Sequence, residues 1–344
     1  MDESTVKKPR ARRTKKSSEN TAALNLLEAL RFVLPALKKV GTVQQQFCMF
    51  KNGWLVAAND SLMIGTQVDI DLNACPHAYQ LFEALQNCGQ ELSIVQLSAG
   101  ELFIKSGDFK ANVPCVDESL IVLGIPDSNV AKLNNDFKTA VEKVACLAVE
   151  GAQNALNAGV YVGLNVTAAT NNFAIIEALH GFDLPQMLIP KQAILALTKT
   201  KKDLSGFGYS GSTATFWFSQ NSFITTCLFS EKFIAYESLL ECQQEFSQVS
   251  EEFFSALKAI EPFCKNNIVY FNEGFALSSS FENASSYKLN TTVPNKMAFN
   301  LKFMLQLKEV FKNTFFDENK KRVYFKNGIN ARGVLSAVQY EERL

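Results

Sequence analysis

The stretch Asn295–Asn313, NKMAFNLKFMLQLKEVFKN, follows a strand-like KLNTTVP and has helical periodicity, with Phe303, Leu307, Val310 and Phe311 on one side and Lys302, Lys308 and Lys312 off it. Lys308 and Lys312 are four residues apart and so share a helix face. The chemistry open to such lysines is contact with phosphate. The residue type recurs in or just after other amphipathic segments, at Lys138 and Lys143, at Lys191, Lys199, Lys201 and Lys202, and at Lys258 and Lys265. On one helix alone, lysines are the ordinary decoration of a solvent face; only their recurrence favours a common ligand. Two segments are weaker witnesses. The first sets Arg31 beside Glu28, with Lys38 and Lys39 beyond the helix-disrupting Pro35, and Tyr79–Leu85 carries Glu83 and no basic residue.

Other chemistry finds little support. The only histidines are His77 and His180, and the eight cysteines (48, 75, 88, 115, 146, 227, 242 and 264) form no C-x-x-C pair. They read as reduced, buried thiols of a cytosol-like compartment, and no metal site is expected. Neighbouring carboxylates, Asp69/Asp71, Glu251/Glu252, Asp317/Glu318 and Glu341/Glu342, sit mostly in polar stretches where water keeps both ionised. GFGYSG at Gly206–Gly211 matches G-x-G-x-x-G, yet it follows a lysine-rich helix end and leads into a strand, the reverse of a dinucleotide site. A loop between helix and strand accounts for its glycines. The expectation is a protein that is not an enzyme and uses no cofactor.

With 344 residues, 47% of them apolar, the chain has material for two or three soluble domains, and its net charge of +0 points as a whole to neither nucleic acid nor a membrane surface. Balance overall hides local asymmetry. KKPRARRTKK, from Lys7 to Lys16, has seven basic residues in ten, Arg10, Arg12 and Arg13 among them, and too little apolar surface to order itself. It reads as a flexible basic arm, either a phosphate contact or a solvated tail. No stretch has the roughly 18 apolar residues of a membrane span, and no signal-peptide core follows the charges.

Amphipathic segments begin at Leu24, Phe137 and Glu252, spaced by 113 and 115 residues, and each is followed by a second at His77–Gln86, Lys191–Thr200 and Leu301–Lys312. A near-constant period marks internal repetition. Between the helices the pattern turns to period two. Asn52-Gly53 and Asn327-Gly328 each lie between strand-like runs as hairpin turns, and LSIVQLSAGELFIKS, ATFWFSQNSFITTCLF and IVYFNEGFALSSSF read as further hairpins. Val160–Ala168 and Phe173–Ile176 add strands to the middle repeat. The predicted fold class is α+β, three similar domains of two helices packed on small antiparallel sheets. Domain limits fall at 20–128, 129–246 and 247–344, after an arm of residues 1–19.

The sequence resembles the bacterial DNA sliding clamp family, the beta subunit of DNA polymerase III, over nearly the whole chain after the arm. Met297–Val310 (MAFNLKFMLQLKEV) is similar to the family's I-G-F-N-x-x-Y-L-L-D-V-L, and Leu188–Lys199 (LIPKQAILALTK) to its V-P-R-K-x-x-x-E-L. Leu228–Leu240 (LFSEKFIAYESLL) resembles L-x-x-G-x-F-P-D-Y-x-x-V-x-P, and Glu101–Cys115 (ELFIKSGDFKANVPC) resembles the L-x-I-x-S-G strand pair. Departures are plain. Thr170-Asn171-Asn172-Phe173-Ala174-Ile175 stands where the family has T-D-G-H-R-L, Ile234 replaces a proline, and GVLSAVQYEERL replaces V-M-P-M-R-L. They suit a divergent relative, including a virus-encoded one, with a remodelled partner pocket.

The resemblance implies a ring of two chains and six domains, a cytoplasmic homodimer and processivity factor whose helices surround duplex DNA without reading its sequence, and which tethers the replicative polymerase. The recurring helix lysines, with Arg31, would face DNA, and Arg10, Arg12 and Arg13 would add an electrostatic contact. A groove for short linear motifs of the polymerase and clamp loader would use Leu156, Thr170, Phe173, Ile175, Ile234, Leu239, Leu335 and Val338. Ring closure would bring Phe109, Ala111 and Val113 against Ile260 and Phe263 of the other chain. Two other readings stay open: a structural or assembly protein of three β-rich modules, and a monomer that binds DNA through one basic face.

Overall fold

The computed structural model describes residues 21–89, 91–97, 100–219, 221–281 and 283–339. The order of elements repeats three times. The first round is α1 (Thr21–Val33), α2 (Val43–Gln46), β1 (Met49–Lys51), β2 (Trp54–Ala58), β3 (Leu62–Gln67), β4 (Cys75–Pro76), α3 (Ala78–Gln86), β5 (Ser93–Leu97), β6 (Glu101–Ser106) and β7 (Phe109–Val116). The second is α4 (Asn135–Ala145), α5 (Ala155–Ala158), β8 (Gly159–Val162), β9 (Val166–Thr170), β10 (Ala174–Leu179), β11 (Met187–Pro190), α6 (Lys191–Lys199), β12 (Leu204–Tyr209), β13 (Thr213–Phe218) and β14 (Ser222–Cys227). The third is β15 (Ser247–Gln248), α7 (Glu251–Ile260), β16 (Ile268–Asn272), β17 (Phe275–Leu277), β18 (Ser286–Lys288), β19 (Met297–Asn300), α8 (Leu301–Gln306), β20 (Asn313–Asp317), β21 (Arg322–Asn327) and β22 (Ala331–Ser336).

The repetition extends to the core. Ala23, Leu26, Leu27 and Leu30 of α1 are buried at the same helical spacing as Phe137, Ala140, Val141 and Val144 of α4 and Phe253, Ala256, Leu257 and Ile260 of α7. Local chemistry sets the boundaries: His77, Asn134 and Asn300 accept backbone N–H groups as N-caps of α3, α4 and α8. Pro35 ends α1 in a 3-10 turn. Asn52 and Gly53, both at positive φ (51° and 73°), form the two-residue turn joining β1 to β2.

Four antiparallel sheets result, and they do not divide two to a repeat. Hairpins of neighbouring repeats fuse: β3 pairs with β14 in a six-stranded sheet, order β1-β2-β3-β14-β13-β12, and β10 pairs with β22 in an eight-stranded one, order β11-β8-β9-β10-β22-β21-β20-β15. The four-stranded sheets β4-β7-β6-β5 and β18-β17-β16-β19 remain at the two ends of the series. One face of the sheets packs against the helices in a continuous core; the opposite faces of the two fused sheets carry small cores of their own.

Those outer faces are crossed by the connecting segments, here called straps. Residues 117–134 lay Ile121 and Leu123 over the first repeat's strands; Asp127 then accepts hydrogen bonds from the Thr213 and Thr215 hydroxyls of β13. Residues 228–246 stack Phe233 on Tyr161 (4.9 Å, 11°) and bury Tyr236 and Leu240 against Ile175 and Val334.

Two sequence expectations need correction. Gly206 and Gly208 belong to strand β12, not a loop; a Cβ at Gly208 would lie 2.4 Å from Ser128 O, so close passage of the strap accounts for that glycine. The helix expected over Leu301–Lys312 ends at Gln306 and continues as turns. Lys312 O accepts the amide of Val249 and Asn313 pairs with Gln248, so the chain is drawn into the sheet while Leu307, Val310 and Phe311 still reach the core.

Candidate nucleic-acid interface

The basic residues of the helices fall into two groups. The first is held by the protein itself. Lys138 Nζ donates to Thr200 O (2.8 Å) and Lys202 O (3.2 Å), two carbonyls just beyond the end of α6, and burial pulls its pKa down. Lys191 Nζ donates to Ala148 O at 2.5 Å. Lys202 Nζ donates to Ser222 Oγ (2.7 Å) and Thr66 Oγ1 (3.1 Å), lies 4.8 Å from the Phe32 ring, and is likewise shifted down by burial. Thr66 and Ser222 are partners across the β3/β14 seam, so this lysine fastens the first repeat to the second.

Lys308 and Lys312 reach Glu251 at 3.2 and 3.8 Å. The hydrogen bond from Lys308 is the main cause holding the Glu251 carboxyl below its ordinary range. These five lysines, expected to face DNA, are therefore engaged within the chain. The reason is physical: a lysine stem covers apolar surface while its ammonium takes whatever acceptor lies in reach.

The second group is Arg31, Lys199, Lys201, Lys258, Lys265 and Lys302, all exposed, with Lys143 half-buried. Arg31 stacks over Phe82 at 5.7 Å. Arg10, Arg12 and Arg13 lie outside the described residues.

The candidate groove divides similarly. Thr170, Ile175 and Leu335 are buried, Ile175 and Leu335 as ordinary core and Thr170 with its hydroxyl on Ala174 O (2.9 Å). They cannot present themselves to a partner. Phe173 is 59% exposed and Ile234 and Leu239 about 40%, while Leu156 and Val338 are half-buried. Phe173 stacks on Phe303 at 6.1 Å; its carbonyl accepts from Ser336 N, and Val338 N donates to Ala298 O. Second and third repeats thus meet around Phe173, Phe303 and Val338. Phe303 was legible only as a residue of the packing side of its helix.

Sequence reasoning missed a third cluster. Glu177, 6% exposed, accepts from Tyr236 Oη at 2.8 Å and from Arg332 Nε at 2.8 Å, and burial drives the Tyr236 phenol above its usual range. No spacing in the sequence announces it.

At the chain's ends, Val113 and Ile260 are buried in their own cores, which removes them as contacts with another copy; Phe109 and Ala111 are half-buried and Phe263 is 60% exposed. The histidines are structural: His180 Nε2 bonds Val166 O (2.9 Å) while Nδ1 accepts from Phe182 N, and His77 Nδ1 caps α3. Among the described residues no three His, Cys, Asp or Glu side chains are grouped to hold a metal ion, and no helix is long and apolar enough to cross a membrane.

At the level of sequence, no protein-family profile and no curated protein matches the chain. Solved structures do. A putative DNA polymerase III beta subunit from Eubacterium rectale superposes with a TM-score of 0.77 at 14% identity, over 93% of this chain and 98% of that one. The DNA polymerase sliding clamp of Bacillus subtilis gives 0.76 at 13% identity, over 93% and 98%, and the DNA polymerase III subunit beta of Pseudomonas aeruginosa 0.76 at 11%, over 92% and 98%. This chain has the α+β fold of the DNA polymerase III beta sliding clamps, at a sequence distance that makes it divergent.

Proposed function

We propose that the chain is a DNA sliding clamp, a non-enzymatic processivity factor that closes with a second copy around duplex DNA and tethers a polymerase. The observation that carries the reading is the register of the two internal seams. Thr66, Ala178 and Tyr287 are equivalent, each facing the second residue of the preceding strand, Leu55, Thr167 and Ala276. Across the first seam Ser222, the first residue of β14, faces Thr66, and Phe223 faces Gly65; across the second, Ala331, the first residue of β22, faces Ala178, and Arg332 faces Glu177. The registers are identical.

At the two ends of the chain β18 is the edge of its sheet, and β7 is bordered by the short β4 only at Cys115 and Val116, so Phe109–Val113 have no partner strand on that side among the described residues. The same register between two copies sets Phe109 opposite Tyr287 and Lys110 opposite Ser286. Pairing them removes two open strand edges, and a head-to-tail contact that closes gives a ring.

Arg31, Lys199, Lys201, Lys258, Lys265 and Lys302 then supply mobile phosphate contacts that hold no register on the DNA, and topology supplies retention. Phe173, Ile234 and Leu239, with Leu156, Val338 and Phe303, form the docking surface for short apolar motifs of the polymerase and its loader. The test is retention at moderate salt on nicked circular DNA after assisted loading. Loss of the protein when the circle is cut supports the clamp. Equal retention on circle and linear DNA favours a face-binding monomer, and absence from both favours an assembly role.

A further inference from the structure

The first repeat's helix pair is the one the lysine pattern leaves thin, and it carries a different arrangement. Counted from the N-caps His77, Pro190 and Asn300, Tyr79, Gln192 and Lys302 are equivalent, as are Phe82, Leu195 and Leu305. Where α8 presents the exposed Lys302, α3 therefore has an aromatic ring, and a second ring follows three residues later on the same helix face. Both rings are half-buried. Among the described residues of the paired helices, the other partly exposed ring is Phe303, already stacked on Phe173. The cations come from α1 and the chain just after it. Arg31 Cζ lies 5.7 Å from the centre of the Phe82 ring, and Lys39 Nζ lies 5.6 Å from that of Tyr79. Pro35 makes the second possible by ending α1 in a 3-10 turn, after which Leu37 O accepts the Tyr79 hydroxyl at 3.5 Å. Arg31 and Lys39 are both exposed, and among the described residues neither is ion-paired. Of the nearby carboxylates, Glu28 lies in the field of Lys202 and Glu83 is exposed beside Phe82; with Lys38 also exposed, cations outnumber them.

We propose that this face of α1 and α3 binds unpaired DNA, stacking bases on Tyr79 and Phe82 while Arg31 and Lys39 turn to the phosphates. An exposed cation over a ring at this distance is held weakly, whereas a base stacked on the same ring is held more strongly. Exchange of one for the other therefore favours the base, and the freed cation meets the phosphate that arrives with it. The two rings project from positions about 5–6 Å apart, within reach of neighbouring nucleotides of a flexible strand. Duplex DNA keeps its bases stacked on one another and has no free face to offer the rings, so the ligand is a single strand. The site gives the chain a contact that the lysines of the other repeats do not: one that tells a single strand from a duplex. In a clamp it holds the unpaired template beside a primer end. That placement rests on the clamp reading above; binding of a single strand does not.

Fluorescence anisotropy of a labelled oligo-dT and of a blunt duplex of the same length tests the site in the full chain. Tyr79→Leu and Phe82→Leu, which keep apolar bulk against the core, are each expected to weaken oligo-dT binding at least about fivefold and to leave duplex binding within about twofold. Unchanged oligo-dT binding in both variants overturns the proposal, as does an equal loss on the two ligands or an unaltered chain that does not bind oligo-dT. Phe82→Trp tests it without relying on a loss. Its indole emission, taken as the difference from the unaltered chain, is expected to be quenched by oligo-dT and not by the duplex; no quenching at saturating oligo-dT overturns the stacking. Aromatic-dependent binding of oligo-dT by a chain that is not retained on circular DNA refutes the clamp and leaves the site standing. Retention on the circle with oligo-dT binding indifferent to both rings does the reverse.

Discussion

Glu177 and Arg332 face each other across the strand pair that joins the second repeat to the third, with Arg332 Nε 2.8 Å from Glu177 Oε1. Tyr236, on the strap above, donates its hydroxyl to the other carboxylate oxygen. One buried carboxylate thus ties two repeats and the segment connecting them. Glu177→Ala strands the buried Tyr236 hydroxyl and leaves Arg332 unpaired. Because Arg332 is about half exposed, the cost expected from chemical denaturation is about 1–3 kcal/mol, below that of a fully buried pair. Tyr236→Phe is expected to cost about 1 kcal/mol.

The tied and free cations should separate by assay. Lys202→Met keeps packing near Phe32 and leaves Thr66 and Ser222 bonded to each other (2.7 Å), so about 1 kcal/mol of stability is lost with no change in DNA affinity. Lys199→Gln and Lys302→Gln should each leave the melting temperature unchanged. Each should also lower the slope of log affinity against log salt on short duplex DNA by about 0.9 per phosphate contact removed.

The groove makes a similar contrast. Phe173→Ala, at an exposed position, should abolish binding of a polymerase-derived peptide measured by calorimetry, with less than about 1 kcal/mol lost in stability. Leu335→Ala, fully buried nearby, should cost about 2–5 kcal/mol, so that any loss of peptide binding follows unfolding.

Acid should weaken the fold through His180. Burial lowers its pKa from the ordinary 6.5, so the unfolded chain takes up this proton at a higher pH than the folded one. Stability contributed by the neutral ring is therefore full above pH 6.5 and falls as pH drops below it. The melting temperature lost between pH 7.5 and pH 5.5 should be smaller in His180→Asn than in the unaltered chain.

Much of the architecture was legible because it is local. The helix period shows in the equivalent buried positions Leu27, Val141 and Leu257, and Asn52-Gly53 carries its turn by backbone preference alone. Sheet fusion was not legible, since the pairing of Ile64 with Ile224 joins residues far apart in sequence, and period-two patterns carry no address. The lysines were the least readable. Lys138 and Lys201 look alike in sequence, yet the ammonium of one is used by two carbonyls of the segment after α6 while the other is exposed. Phe173 and Ile175 are two residues apart, a spacing that would set both on one face of a strand; Phe173 instead lies in the bend before β10 and is exposed, while Ile175 within the strand is buried.

The central claim is that two copies close in the register of the internal seams, with Lys110 opposite Ser286. The most direct measurement joins Lys110→Cys to Ser286→Cys with a short bis-maleimide, in a Cys227→Ser background that removes the one exposed native thiol, after loading on nicked circular DNA. The account predicts a covalent double-chain product that stays on the circle in denaturing detergent and is freed when the circle is cut once. Crosslinked product that leaves the intact circle in detergent, or no interchain product from a fully alkylated protein, would contradict it.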